Sequence, residues 1–228
     1  MADEFPITLE LGKTIRTFFH SQFFRTPPYP THSFAGQTII VTGSNTGLGL
    51  EAAKHFYRLN ASRVILAVRT IKKGETAKED IVRSVTHRTD PSSIEVWALD
   101  LSSTESTLAF AEKAKGLERL DVLLENAGVN NRTWEMSEGV EQTIQVNVLN
   151  TFLLALSLLP KLRETKTKFA DSTPHLTIVS SEVHHFTKFR EIEAENIYTR
   201  LNEEKGYNGQ ERYVLNSNAK LRLLAGSS

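Results

Sequence analysis

The sequence predicts an α/β fold: a single domain built on a Rossmann-type, doubly wound parallel sheet. Three observations carry that expectation. Short apolar, β-branched runs without polar alternation recur from residue 38 onward, as strands covered on both faces require. Each run is followed by a segment of helical period, so strands and helices alternate and right-handed crossovers are expected. The first strand-to-helix junction is glycine-rich, reading Thr42-Gly43-Ser44-Asn45-Thr46-Gly47-Leu48-Gly49.

The elements follow in order. Leu11, Ile15, Phe18, Phe19 and Phe23 fall near helical spacing, which predicts one amphipathic helix within an amino-terminal extension, residues 1–36. Pro27, Pro28 and Pro30 end it and form a Pro-rich linker. Its phenylalanines make residues 9–24 a candidate for packing on the domain or for peripheral contact with a membrane or partner. Strands are expected at 38–41, 63–68, 94–99, 120–125 and 176–180. Helices are expected at 50–59, 73–85, 104–115 and 138–159, the last halted by Pro160. Residues 182–212 are polar and read as a long surface excursion. The strand–helix alternation begins at Gln37 and its last expected strand ends at Ser180.

Composition narrows the function classes. Lys+Arg and Asp+Glu both total 27 in 228 residues, so no charge excess points to nucleic acid. The absence of cysteine excludes disulfides, thiolate metal sites and a cysteine nucleophile. No apolar run reaches the ~18 residues of a membrane span, and the amino terminus lacks a secretory signal. A soluble, cytoplasmic protein is the expectation. His184 and His185 are adjacent and face apart, no carboxylate cluster completes a site, and no metal is expected.

The glycine turn is the first feature with chemistry. Glycines between a buried strand and a helix let the backbone approach a pyrophosphate, whose charge then sits on the helix amino terminus. Gly43, Ser44, Asn45, Gly47, Leu48 and Gly49 are therefore candidate cofactor-binding residues.

Further motifs follow in a fixed order. Asp100-Leu101 ends the third strand and Asn126-Ala127-Gly128 the fourth. Asn147 sits in the long helix, Ser180-Ser181 closes the fifth strand, and Gln210-Glu211-Arg212 precedes Tyr213. With the Thr-Gly-x-x-x-Gly-x-Gly turn, residues 37 to about 213 resemble the short-chain dehydrogenases/reductases, in particular retinol-dehydrogenase-like and filamentous-fungal members.

The resemblance implies an oxidoreductase that reduces a carbonyl, or oxidises the alcohol, of a small hydrophobic substrate, in the manner of fungal members acting on secondary metabolites. It assigns Ser181, Tyr213 and Asn147 to catalysis, and Asp100, Leu101, Asn126, Ala127 and Gly128 to the cofactor site. An NAD site usually carries a carboxylate at the end of the second strand. Here Arg69 stands there, with Lys72 and Lys73 following, which favours the 2′-phosphate of NADP(H).

One departure is plain. The family has a lysine four residues after its tyrosine, whereas this chain has Ser217 there and Lys220 seven away. Looping out Asn216-Ser217-Asn218 is one way to bring Lys220 back. After Tyr213 the resemblance ends, so it implies a nucleotide-binding domain at 37–213 and a divergent tail at 214–228, and the carboxyl end reads as truncated and the dimerisation surface as incomplete. The alternative expectation is a catalytically impaired NADP-binding remnant or an interaction protein.

Overall fold

The computed structural model describes residues 11–181 and 194–225, except the side chains of 11, 13–15, 22 and 218–225. His184 and His185 lie outside the described residues. Five parallel strands form one sheet: β1 (Thr38–Thr42), β2 (Arg63–Val68), β3 (Ile94–Ala98), β4 (Val122–Glu125) and β7 (His175–Ile178). Their order across the sheet is β3-β2-β1-β4-β7. Between them run α2 (Gly47–Arg58), α3 (Ile71–Ser84), α4 (Thr104–Lys115) and α6 (Thr151–Lys168). This is the Rossmann-type arrangement that the sequence predicts.

Every residue of β1 is buried, which explains its run of Ile39, Ile40 and Val41 without polar alternation. Successive side chains alternate between two covered faces. Ile39, Val41, Val64, Leu66 and Val68 join Ala53, Tyr57, Ala77 and Ile81 of α2 and α3 in one core cluster. Ile40, Ile65 and Leu123 lie on the opposite face and are fully buried, as are Leu154 and Leu158 of α6. Chain order reverses at β1, which pairs with β2 on one side and β4 on the other. In open sheets of this kind ligands bind outside the carboxyl ends of the strands at that reversal.

A buried aspartate ties the start of this sheet. Asp121 accepts from the Thr38 amide at 2.8 Å, from Arg119 through both carboxylate oxygens, and from the Ser172 hydroxyl at 2.5 Å. Its own carbonyl accepts from the His175 amide. One side chain thus links segments that begin β1, β4 and β7.

The chain divides into two compact units. The sheet and its helices form Pro30–Gly128 with Gln145–Val179. The other unit comprises Met1–Tyr29, Val129–Ile144 and Ser180–Ser228. It contains α1 (Leu11–Phe24), the short hairpin of β5 (Met136–Ser137) and β6 (Val140–Glu141), α5 (Gln142–Ile144), α7 (Ile197–Leu201) and α8 (Gly209–Ala225).

Three expectations change. The helix expected at 138–159 begins later, because Glu138 and Gly139 both take positive φ, 51° and 81°, and close the hairpin with a two-residue turn. Nor does Pro160 halt it: α6 continues through Pro160 to Lys168. Pro160 is exposed, so water can serve the carbonyl that its missing N–H leaves free. The polar stretch 182–212 holds α7 and the start of α8 among its described residues. By length and composition, Gln142–Lys168 is also apolar enough to cross a membrane, although 61% of its most apolar window is buried inside the protein.

Candidate active site

The glycine turn is shaped by close backbone approach. A Cβ on Gly43, whose φ is +65°, would sit 2.9 Å from the Ala127 Cα. A Cβ on Gly49 would sit 2.4 Å from the Asn126 Nδ2 and 2.5 Å from the Gly43 oxygen. Real contacts do not come so close, so only glycine fits at either place. Gly47 differs: its φ is +58°, yet nothing lies within 4 Å of a Cβ built there. Gly43 and Gly49 press the turn onto the sheet, and Gly47 leaves space beside the helix start.

Thr42 stitches this turn to the end of β4. Its hydroxyl oxygen accepts from the amides of Asn126 and Ala127, both at 3.0 Å. Asn126 returns the contact, its Nδ2 donating to the carbonyls of Thr42 at 3.1 Å and Gly43 at 3.3 Å. Two motifs far apart in sequence are thus one hydrogen-bonded cradle. Thr42 is a site residue that sequence reasoning misses; its place directly before the glycines is the signal that could have found it.

Several groups in the cradle can serve a ligand. Ser44 is fully buried, and its hydroxyl has no hydrogen-bond partner among the described residues. Thr46 precedes α2 without a side-chain cap, so the first amides of the helix are left to another acceptor. Asn45 is half-buried beside them. Leu48 is 78% exposed, a large apolar side chain held out at the rim. Beyond β2, Arg69 and Lys73 are exposed, and Arg69 makes no hydrogen bond or ion pair among the described residues. These residues fit a dinucleotide: backbone room and helix amides for a pyrophosphate, and an exposed cation beyond the second strand.

Asp100 and Leu101 are placed by local bonds. The Asp100 carboxylate accepts from the Ser102 amide at 2.9 Å and hydroxyl at 2.7 Å. Leu101 is buried, and its carbonyl accepts from the Asn150 Nδ2 at 2.8 Å. That contact anchors the segment that carries Asn147. Residues Gln145–Asn150 form a π-helical turn, a geometry frequent at functional sites. Thr104 bridges it, accepting from Gln145 at 3.2 Å and donating to Asn150 at 3.3 Å. Asn147 is buried, and a Cβ on Gly128 would sit 3.2 Å from its Oδ1. Within the sheet unit, then, the glycine turn, Asn126, Ala127, Gly128 and Asn147 are brought together.

Ser181 and Tyr213 belong to the other unit, and both are half-buried. Strand β7 ends at Ile178, so both Ser180 and Ser181 lie beyond it and strand alternation does not set their directions. The Ser180 hydroxyl donates to the Ser217 carbonyl at 3.2 Å, tying this segment to α8. Helix α8 is continuous from Gly209 to Ala225, so no loop lifts residues 216–218 out of register. Lys220 therefore lies seven residues, about two turns or ~10.5 Å, along the axis from Tyr213.

The same unit holds a buried polar group that sequence reasoning also misses. Glu141 is fully buried and accepts from the Thr143 amide at 3.0 Å, the Thr143 hydroxyl at 2.7 Å and the Ile144 amide at 3.1 Å. Arg212 approaches it at 3.9 Å from helix α8. Tyr207 donates to the Asn131 carbonyl at 3.1 Å, and burial raises its pKa. No pattern of spacing marks Arg212 or Tyr207, since their partners are distant in sequence.

Residues 37–169 match the profile of the short chain dehydrogenase family. A short chain dehydrogenase of Emericella nidulans is 46% identical over 208 residues, 91% of this chain and 65% of that protein. One from Gibberella zeae is 41% identical over 218 residues, 94% of this chain and 61% of that protein. The chain thus spans less than two thirds of the length of either. A third, from Alternaria solani, is 42% identical over 216 residues, 94% of this chain and 73% of its own. Among solved structures, a short chain dehydrogenase from Escherichia coli CFT073 complexed with NADPH superposes with a TM-score of 0.61 and 26% identity, covering 87% of this chain and 74% of its own. A protein from Mycobacterium paratuberculosis superposes with a TM-score of 0.63 and 29% identity, covering 87% of this chain and 66% of its own.

Proposed function

This chain belongs to the short chain dehydrogenase family of oxidoreductases, and from that premise we propose that it binds NADP(H) and is built for the reduction of a small hydrophobic carbonyl, or the reverse oxidation. The observation that carries the proposal is the cradle of Thr42, Gly43, Gly49 and Asn126, with the adjacent Ser44 hydroxyl buried and without a partner among the described residues. A buried hydroxyl without a partner costs roughly 1–3 kcal/mol, and a bound acceptor relieves that cost.

In this reading Ser44, Asn45, Gly47 and the first amides of α2 hold the pyrophosphate, and Arg69 with Lys73 holds the 2′-phosphate. Asp100 and Leu101 line the adenine end, while Asn126, Ala127, Gly128 and Asn147 line the nicotinamide end. When bound, NADP(H) supplies or accepts the hydride. Ser181 donates a hydrogen bond to the substrate oxygen, polarising it. Tyr213 holds the proton exchanged with that oxygen. The substrate class is a hydrophobic secondary metabolite, polyketide- or terpenoid-like, handled in the cytoplasm.

Ser217 favours a second reading, in which this chain binds the nucleotide but turns over poorly or serves as an interaction protein. The lysine expected there lowers the tyrosine pKa by its positive charge and holds the nicotinamide ribose. Serine supplies neither. Titration with NADPH, followed by the fluorescence of Trp97, tests the shared premise. Trp97 is buried on β3, edge-on to Phe110 at 5.7 Å. Saturable quenching supports nucleotide binding, and its absence at millimolar NADPH contradicts both readings.

A further inference from the structure

We propose that α1 is a surface anchor, lying flat on a bilayer that contains anionic lipid. Four phenylalanines of this helix face solvent: Phe18 is 40% exposed, Phe19 53%, Phe23 73% and Phe24 78%. Phe19 and Phe23 stack with ring centres 6.2 Å apart and planes 5° apart, and Phe18 meets Phe19 edge-on at 5.6 Å. The rings form a contiguous apolar surface, of the kind that marks an interaction site. Within its own unit, α1 packs extensively on no other described element.

Charge selects the occupant. Arg16 and His20 stand four residues apart, on one face and next to the Phe19–Phe23 stripe, and both are exposed. Arg25 follows the helix and is also exposed. No aspartate or glutamate occurs from residue 11 through residue 50; Asp3, Glu4 and Glu10 come earlier in the sequence. A second copy docked on this face would set arginine against arginine with no carboxylate among the described residues of the helix to pair them. Anionic headgroups pair Arg16 and Arg25 while the rings enter the acyl boundary. The 14 described residues of the helix reach about 21 Å against a bilayer core of about 30 Å and carry Arg16 among the rings, which suits a helix lying in the plane of the surface. An in-plane helix satisfies both surfaces, and the prolines at 27, 28 and 30 stiffen the segment that follows it.

The test is co-sedimentation of the full chain with vesicles of phosphatidylcholine alone or mixed with phosphatidylserine. The chain is expected to bind the mixed vesicles and to bind neutral ones roughly tenfold more weakly. Arg16→Gln with Arg25→Gln, or high salt, should weaken binding to mixed vesicles by roughly tenfold. Phe19→Ser with Phe23→Ser should weaken it by at least as much. These side chains are exposed, and an unchanged circular dichroism melt would exclude misfolding as the cause. No binding to mixed vesicles, binding indifferent to both double variants, or self-association lost in the phenylalanine variant would overturn the proposal. None of these outcomes depends on nucleotide binding.

Discussion

The Ser217 hydroxyl donates to the Tyr213 carbonyl at 3.2 Å, one turn back along α8. Ser217 is 5% exposed, and its own carbonyl accepts from Ser180. The place where the family carries its lysine is therefore occupied by a small, buried side chain bonded to its own helix. A tyrosine titrates near ~10, and each tenfold gain in its acidity takes about 1.4 kcal/mol of favourable interaction with the anion. With Ser217 one turn on from Tyr213, that position supplies no cation to provide it.

The first prediction follows from that geometry. Displacing a catalytic group by ~1 Å can cost on the order of a hundredfold, and Lys220 lies three residues, about 4.5 Å along the axis, beyond position 217. The 228-residue chain should show little or no NADPH-dependent reduction across a panel of hydrophobic ketones, and Tyr213→Phe and Lys220→Ala should not change that background. Robust turnover abolished by Lys220→Ala would show that the distant lysine serves after all.

The glycine turn gives a contrast between neighbours. Gly49→Ala puts a methyl 2.4 Å from Asn126 and 2.5 Å from the Gly43 oxygen, so the cradle must open. NADPH binding should fall by at least about a hundredfold, as a misplaced binding group allows. Gly47→Ala meets no protein atom within 4 Å, so the cradle keeps its shape; it costs about 1–2 kcal/mol of stability through its left-handed backbone, and its methyl narrows the space left for the pyrophosphate. Calorimetric titration and thermal melts of the two variants separate the effects.

Asp121→Ala should be among the most destabilising single changes. It leaves the Arg119 guanidinium, the Thr38 amide and the Ser172 hydroxyl without their acceptor in a buried setting. Breaking such a pair from one side costs about 3–5 kcal/mol. Urea unfolding should show this as a lowered midpoint, and a loss below ~1 kcal/mol would mean that water replaces the carboxylate.

A pH dependence comes from Glu95. Arg63, bonded to it at 2.6 Å and 3.0 Å, holds its carboxyl below the usual range, with Trp97 assisting at 2.9 Å. A lowered folded pKa adds stability that is present above the unfolded value of 4.5 and lost as pH falls through the folded one. Both side chains are about one third exposed, so the pair contributes at most ~1 kcal/mol. Glu95→Gln should therefore lower the melting temperature slightly at pH 7 and by less at acid pH, as the carboxyl becomes protonated in the folded state. An equal loss at both would assign the effect to packing.

The strands and the glycine turn are legible in the sequence because each is written in adjacent residues. Ile39 to Val41 and Val64 to Val68 are apolar on both faces, and the turn between β1 and α2 needs its glycines locally. What stays hidden depends on distant partners. The π-turn around Asn147 is held by Thr104 and Leu101, more than 40 residues away. The hairpin before it is masked because Val140 and Glu141 continue smoothly into an apolar helical pattern, and only Gly139 hints at the turn. Thr42 as the link to Asn126 likewise requires the sheet to bring β1 beside β4.

The most direct test of the account is the ratio of NADPH to NADH affinity, measured by fluorescence titration of the chain and of Arg69→Ala. Arg69 is exposed and without a partner among the described residues, at the place where an NAD site holds a carboxylate. A charge-assisted contact to a phosphate contributes roughly 1.5–3 kcal/mol, or about ten- to a hundredfold. NADPH is expected to bind tighter than NADH by that order, with the gap closing in Arg69→Ala. Equal affinities in the unaltered chain, or a preference that survives the loss of Arg69, would contradict it.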